Sequence, residues 1–397
     1  MQIFRFANIK KNKVRYILII CIIVYSSIFS VAQDINIRLF HNKNINTIFL
    51  SVENGKYQII ADSSHIITIE KNTVFNISLN DTVLIIKDLN SQIGTYKSLE
   101  LAGLMEYNSF KIQVISPSKF KERAYTGDLK ITPSANTIKI INRVNLEEYV
   151  AGVVECEGGI KANAEYYKTQ AIICRTYALK NFYRHIDEGF NLCSDIHCQA
   201  YLHKAEKSDV IKRAVKLTKG LVIVDTTLNL ITATFHSNSG GQTMSSEMVW
   251  LTPKSYLKSV ADTFSVNERN YMWEKEIPLW KWRTMLQKNG FPIEHLSTND
   301  LAFSQENRKM YYKIGKDSVL LKDIRAEFKL RSTFFELIPK EKTVLLKGKG
   351  YGHGVGLSQE GAMKMSENNY KYRDIIKYYY RNVFIVSLRA LEFFKQK

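Results

Sequence analysis

The chain has 397 residues, of which 24% are charged, 45% hydrophobic and 12% aromatic, with only 6 prolines and 19 glycines. Those proportions exclude a disordered chain and collagen-like repeats, and the length allows two or three domains. Lys and Arg total 56 against 38 Asp and Glu, a net charge of +18. Such an excess points to an acidic partner: nucleic acid, anionic membrane or anionic polymer.

The first thirty residues choose among these. Arg5, Lys10, Lys11, Lys13 and Arg15 form a basic segment without an acid, Tyr16 to Phe29 is almost wholly apolar, and Ser30-Val31-Ala32 supplies small residues before Gln33. That is the order of a secretory signal peptide over 1–32. An uncleaved anchor is the alternative, but the apolar run falls short of the roughly 20 residues a span requires. Removing five of the cations and none of the acids takes the charge from +18 to +13. An exported basic protein in a periplasm or cell envelope meets glycans, wall polymers and lipid headgroups rather than nucleic acid or nucleotide. Cys156, Cys174, Cys193 and Cys198 remain after the leader. Export permits disulfides between them.

Short β-branched runs then recur over 33–120 (NIRLF, TIFLSV, YQIIA, HIITI, VFNISL, TVLIIK), separated by Asn, Asp, Gly and Ser. They predict a β-rich accessory domain. The texture changes over 121–397, taken as a second, larger domain. Tyr125-Thr126-Gly127-Asp128 reads as a turn and TIKIINRV as a strand leading into Asn145-Leu146-Glu147-Glu148-Tyr149. Apolar residues three or four apart predict a long helix over 164–185, and a second runs from Asp209 to Lys219 with Ser208 as its N-cap. LVIVD and NLITATF read as a hairpin. WKWRTMLQKNG suggests a helix, KMYYKI and TFFELI strands, and a glycine-rich turn with helices closes the chain. The fold class expected is mixed α+β.

Five motifs carry chemistry. Glu155 and Glu157 stand two apart in an otherwise apolar stretch, where desolvation would raise a carboxyl pKa. In an extended chain they would share a face about 7 Å apart. Both would then project from one wall, whereas hydrolysis of a glycosidic bond needs carboxyls on opposite sides of it. A mechanism with one carboxyl fits better. Lys168 and Arg175, two helical turns apart, place a cationic stripe on one face. Cys193, His197 and Cys198 form a zinc nucleus with His185 as fourth ligand or His203 in its place; a disulfide or free thiols are the alternative. Phe235 to Thr243 (FHSNSGGQT) is a polar loop carrying His236 and Ser239. Gly348 to Gln359 has strictly alternating glycines around His353, a tight backbone that could present His353 and Gln359, and it is no nucleotide loop.

Together these segments resemble the stage II sporulation protein D (SpoIID)/LytB amidase-enhancer family of bacterial cell-wall proteins. NRVNLEEYVAGVV with its following glutamate, YYKTQAIICRTYALK, HCQAY, TKGLVIV, FHSNSGGQT, DIRAEFKLRSTFFELI and GKGYGHGVGLSQEGAMKM occur in the family's order over about 123–385. The resemblance implies antiparallel strands with a long helix flanking a substrate groove. It implies a lytic transglycosylase acting on peptidoglycan glycan strands stripped of stem peptides, with Glu157 as the catalytic acid. Lys168 and Arg175 take the positions of the family's helix cations, while His236, Ser239, His353 and Gln359 are assigned to the groove. The family's structural zinc would fall on His185, Cys193, His197 and Cys198, and no organic cofactor is implied. Gly158-Gly159 stand where the family usually has Met-Pro.

The residue chemistry accords with that expectation. The muramic acid C6 hydroxyl can attack its own anomeric carbon, so one carboxyl can protonate the leaving oxygen and then deprotonate that hydroxyl. Glycan without peptides exposes lactyl carboxylates and is a polyanion. The competing reading is a non-catalytic glycan binder that stimulates a cell-wall amidase. A zinc peptidase would need an open metal position, and the sequence has no HExxH.

Overall fold

The computed structural model describes residues 33–117 and 120–395. The signal peptide expected over 1–32 lies outside them. No helix among the described residues is long and apolar enough to cross a membrane.

The β-rich stretch folds as its period-two pattern requires. In strand Thr137–Asn145 Ile138, Ile140 and Val144 point inward while their neighbours stay outside. Among the described residues, one seven-stranded sheet runs Leu192–Cys193, Asp34–Leu39, Thr137–Asn145, Asp128–Ser134, Leu99–Gly103, Lys56–Ala61, Ser64–Glu70. A six-stranded sheet runs Arg123–Thr126, Ser109–Ser116, Thr47–Asn54, Val74–Asn80, Val83–Lys87, Gln92–Tyr96. Asp34–Leu39 meets Leu192–Cys193 in parallel, whereas Asp128–Ser134 pairs antiparallel with both Thr137–Asn145 and Leu99–Gly103. The expected division near residue 120 falls between strands Ser109–Ser116 and Arg123–Thr126, which pair directly. One continuous core contains Ile37, Phe110, Val153, Ile173 and Tyr379.

Two helices lie against this core. Helix α1 (Leu146–Gly158) starts at Asn145, whose side chain accepts from Glu147 N, and its first turn carries Glu147 and Glu148. Leu146, Tyr149, Val150, Val153 and Val154 form its buried stripe. Gly159, at φ 68°, ends it. Helix α2 (Ala164–Lys180) is capped by Asn163. It stops five residues before the expected end, because Asn181 takes the C-cap and folds its amide back onto the Tyr177 carbonyl at 2.8 Å. His185 therefore leaves the helix and sits in the turn beyond. Helix α3 (Asp209–Leu217) begins at Ser208 as expected.

The expected hairpin is reduced to its turn: Asp225 N donates to the Asn229 carbonyl at 2.9 Å and Ile231 N to the Ile223 carbonyl at 3.2 Å around an antiparallel bridge between Val224 and Leu230. The ladder of Leu221–Val224 is made with Phe384–Ser387 instead. A distant strand offers a longer ladder than the adjacent segment, a choice that no local pattern encodes. Residues 272–349 build a second core around Trp282, Leu286, Ile324 and Leu346, under a sheet ordered Met272–Pro278, Thr343–Lys349, Phe335–Pro339. The segments WKWRTMLQKNG, KMYYKI and TFFELI supply a helix and two strands here, as their patterns predict.

Candidate active site

The Glu155–Glu157 segment is the tail of α1 rather than an extended stretch. Two helical residues differ by about 200° around the axis, so the carboxylates diverge. A strap over 199–207 runs alongside and meets both. Glu155 accepts from Glu206 N at 3.2 Å and Lys207 N at 2.9 Å. Glu157 accepts from Ala200 N at 2.9 Å. Burial pushes the Glu157 carboxyl above the ordinary carboxylate range, and the Ala200 N–H opposes this only in part. Tyr166 of α2 lies beside it, and a Cβ added at Gly158 would stand 3.2 Å from that ring. Gly158-Gly159 thus leaves Glu157 in the last helical turn, close against α2.

The strap begins at a cluster of nitrogen and sulfur donors. His185, Cys193, His197 and Cys198 bring their ligand atoms within 4.8 Å of one another. Cys198 Sγ is 3.5 Å from His185 Nε2, and His197 Nδ1 is 3.7 Å from each sulfur. A tetrahedral ion with thiolate and imidazole bonds of about 2.0–2.3 Å holds its ligands about 3.4–3.8 Å apart, so this donor set fits zinc. His185 Nδ1 meets Glu188 at 2.6 Å, the outer carboxylate that commonly orients a ligating imidazole. The described cysteines are free, so the disulfide alternative is not formed. His203 stands outside the cluster, 3.6 Å from Glu155. The N-terminal strand fixes this ground: Arg38 pairs with Cys193, and Ser194 N donates to the Arg38 carbonyl at 3.0 Å.

The cationic stripe expected on α2 does not exist as such. Arg175 is completely buried; its Nε and Nη2 grip Glu147 and its Nη1 donates to the Leu221 carbonyl at 3.0 Å. The helix turns that residue into the core, where it ties α1 to strand Leu221–Val224. Lys168 is half-buried and pairs with Glu165 at 2.7 Å, whose other oxygen accepts from Tyr372 N. Only Lys168 of the two remains near the surface.

The two polar loops of the sequence are interlaced. Phe235–His236 pairs in parallel with Leu357–Ser358, and bridges join Asn238 to Tyr351 and Met244 to Val355. The alternating glycines permit this approach. Gly352, at φ 117°, would put a Cβ 2.6 Å from that of His236, and Gly356, at φ 74°, would put one 2.2 Å from the Thr234 carbonyl. Gln359 then donates to the backbone carbonyl of Glu157 at 3.0 Å, which joins the loops to the tail of α1.

Ser239 is fully buried and donates to Asp262 at 2.7 Å, so it braces the loop instead of facing a groove. His353 Nδ1 accepts from Val355 N at 3.0 Å, and its ring also bonds the Phe235 backbone, which leaves mainly its face for contacts. Burial, with Arg325 and Arg308 adding to it, lowers its pKa to about 4. His236 meets the Val355 carbonyl through Nδ1 at 3.2 Å, while its buried Nε2 has no partner. Sequence reasoning missed Asp262, Trp250 and Arg308. Arg308 crosses from the second core to donate to the carbonyls of Gln242 and Ser239. An isolated arginine in SQENRKM carries no local signal of that reach.

Comparison with known proteins places this arrangement. A family model described as stage II sporulation protein matches residues 134–224, the stretch that holds α1, α2 and the strap. The chain is 27% identical over 308 residues to stage II sporulation protein D of Bacillus subtilis, covering 73% of this chain and 89% of that protein. It is 29% identical over 259 residues to stage II sporulation protein D of Bacillus amyloliquefaciens, covering 61% and 74%. It is also 25% identical over 289 residues to an amidase enhancer of Bacillus subtilis, covering 59% of this chain and 40% of that protein. These matches, with a mixed α+β fold of mostly antiparallel sheets, support the SpoIID/amidase-enhancer family, the family model itself matching 134–224.

Proposed function

We propose that the protein is an exported cell-envelope lytic transglycosylase that cleaves peptidoglycan glycan strands lacking stem peptides and leaves 1,6-anhydromuramic ends. The observation that carries this reading is Glu157: a desolvated carboxyl at the end of α1, held by one backbone N–H, with its pKa raised by burial. Desolvation favours the protonated form, the one that donates to the glycosidic oxygen. As a carboxylate it then removes the proton of the C6 hydroxyl, which closes the anhydro ring without an attacking water. The divergence of Glu155 supports a single acid/base. Gln359 holds the helix end, and Tyr166 helps exclude water from the carboxyl.

Zinc belongs to the same proposal. His185, Cys193, His197 and Cys198 would hold it with every position filled, so it would supply structure rather than Lewis acidity. Its place two residues before Ala200 would fix the N–H on which Glu157 leans.

The name of the amidase-enhancer relative favours a second reading, a glycan-binding protein that stimulates a cell-wall amidase. One experiment separates them. Purified protein and Glu157→Gln are incubated with denuded strands and with intact sacculi, and products are read by mass spectrometry. Anhydro ends from denuded strands, reduced about 10²- to 10⁴-fold in the variant, are expected for the enzyme. Strand binding without products, equal in both proteins, would leave only the enhancer.

A further inference from the structure

One corner of the molecule gathers cations without counter-charges. Arg308 is buried and bonds only neutral acceptors: the Gln242 and Ser239 carbonyls and the Thr333 hydroxyl. Arg325 is half-buried and spends its Nε on the Leu330 carbonyl at 3.2 Å. Arg331 is exposed, with its guanidinium 5.6 Å from the centre of the Tyr351 ring. Its backbone carbonyl accepts from Gly352 N at 2.9 Å, which seats it beside the His353 turn. Among the described residues none of these arginines has an ion-pair partner. Arg308 and Arg325 repel each other instead, and burial plus that repulsion brings Arg308 down to about 9. Buried cations without an acid are costly, and such perturbed groups cluster at functional sites.

The surroundings indicate the kind of anion. Trp250 is 39% exposed with its ring 5.4 Å from that of His353, and Tyr351 is 44% exposed. Flat exposed aromatics suit the apolar face of a sugar ring. His236 Nε2, buried and unpartnered, offers one acceptor to a ligand N–H or O–H. The loop is continuous with the site: residues 351–359 lead from Tyr351 to Gln359 on the Glu157 carbonyl.

We propose that Arg325 and Arg331, gathered at the Tyr351–His353 turn, form a carboxylate subsite for the lactyl group of a muramic residue, with Trp250 as the sugar platform. This deepens the proposed function and rests on reading the Glu157 face as a glycan site. A stem peptide converts the lactyl carboxylate into a neutral amide, so the subsite distinguishes stripped strands from peptide-bearing ones by charge. It also moves the anion contact from α2, where Arg175 is spent on Glu147, to the second core.

The test measures binding by the full chain carrying Glu157→Gln, so that strands stay intact. Three ligands are compared: denuded strands, denuded strands whose carboxylates are converted to methylamides, and peptide-bearing strands. Arg325→Gln and Arg331→Gln should each weaken binding to denuded strands by about 10- to 100-fold, the range of a lost charge-assisted bond, and leave methylamide strands unaffected. Arg325→Lys should recover part of the loss. Arg331 is exposed, so its variant tests the idea even if Arg325→Gln melts early. Unchanged binding to denuded strands, or an equal loss on methylamide strands, overturns the proposal. An arginine-dependent preference for peptide-bearing strands places the anion on the stem peptide and overturns it too. Cleavage plays no part in this readout. A wild type that yields no anhydro ends would remove the transglycosylase and leave the subsite standing.

Discussion

Two walls meet at Glu157, and they are held by different physics. The strap over 199–207, which follows directly on the donor cluster, is short of regular structure. It is tied down by donor atoms at one end and by carboxylates of α1 along its length, with Lys204 reaching Glu53 in the N-terminal sheet. The interlaced loops at 235–244 and 351–359 rest on backbone proximity, glycines without side chains and a buried polar net around Asp262. With the proposed zinc in place, the first wall depends on an ion that a reagent can remove. The second depends on shape, which only mutation can alter.

The largest effect should come from breaking the first wall at its proposed metal ligands. Cys198→Ser, or treatment with a strong chelator, should destabilise the fold by about 4 kcal/mol, the scale reached when a structural metal is lost. Metal analysis and thermal melting check this, and a melt insensitive to chelator would show that the cluster holds no ion. A smaller loss, about 2 kcal/mol, is expected from Gly352→Ala, which combines a left-handed backbone with crowding against His236. That melt should be indifferent to chelator, and a chelator-sensitive one would erase the distinction between the walls.

The smallest effect sharpens the comparison at the residue where both walls touch. The Glu157 carboxyl has a raised pKa in the fold, so the native state holds its proton more tightly than the unfolded chain does. Its contribution is fully present below the ordinary value of 4.5 and is lost as pH rises through the raised value. Glu157→Gln should therefore be more stable than the wild type at neutral pH, and the difference should vanish in acid. A variant less stable at pH 7 would mean that the carboxylate is welcomed by its surroundings.

Local patterns made much of this legible. Alternating β-branched runs foretold the N-terminal strands, and Ser208 caps the second helix where the sequence expects it. The cysteine and histidine spacing brought three candidate ligands together, since they lie within six residues. His185 depended on how a helix ended. Burial was harder to read. Arg175 has the spacing of a surface stripe, but its face is set by Glu147 of another helix and by Leu221. Ser239 belongs to a polar motif, yet its role is fixed by Asp262 and Tyr379, which lie far along the chain. The helical state of Glu157 was hidden because Asn145 announces the helix start in a segment that continues a strand.

The ladder between Leu221–Val224 and Phe384–Ser387 has a consequence for biosynthesis. Val224 cannot find its partner until Phe384 has been polymerised, and Leu388 N then closes onto the Gly220 carbonyl at 2.9 Å. While the residues between 224 and 384 are being added, the nascent chain therefore carries an open edge next to α2, joined only when the closing segment arrives. A ribosome stalled upstream of residue 384 would leave a product whose strand edge recruits neighbours or a chaperone, however well the earlier sheets had formed.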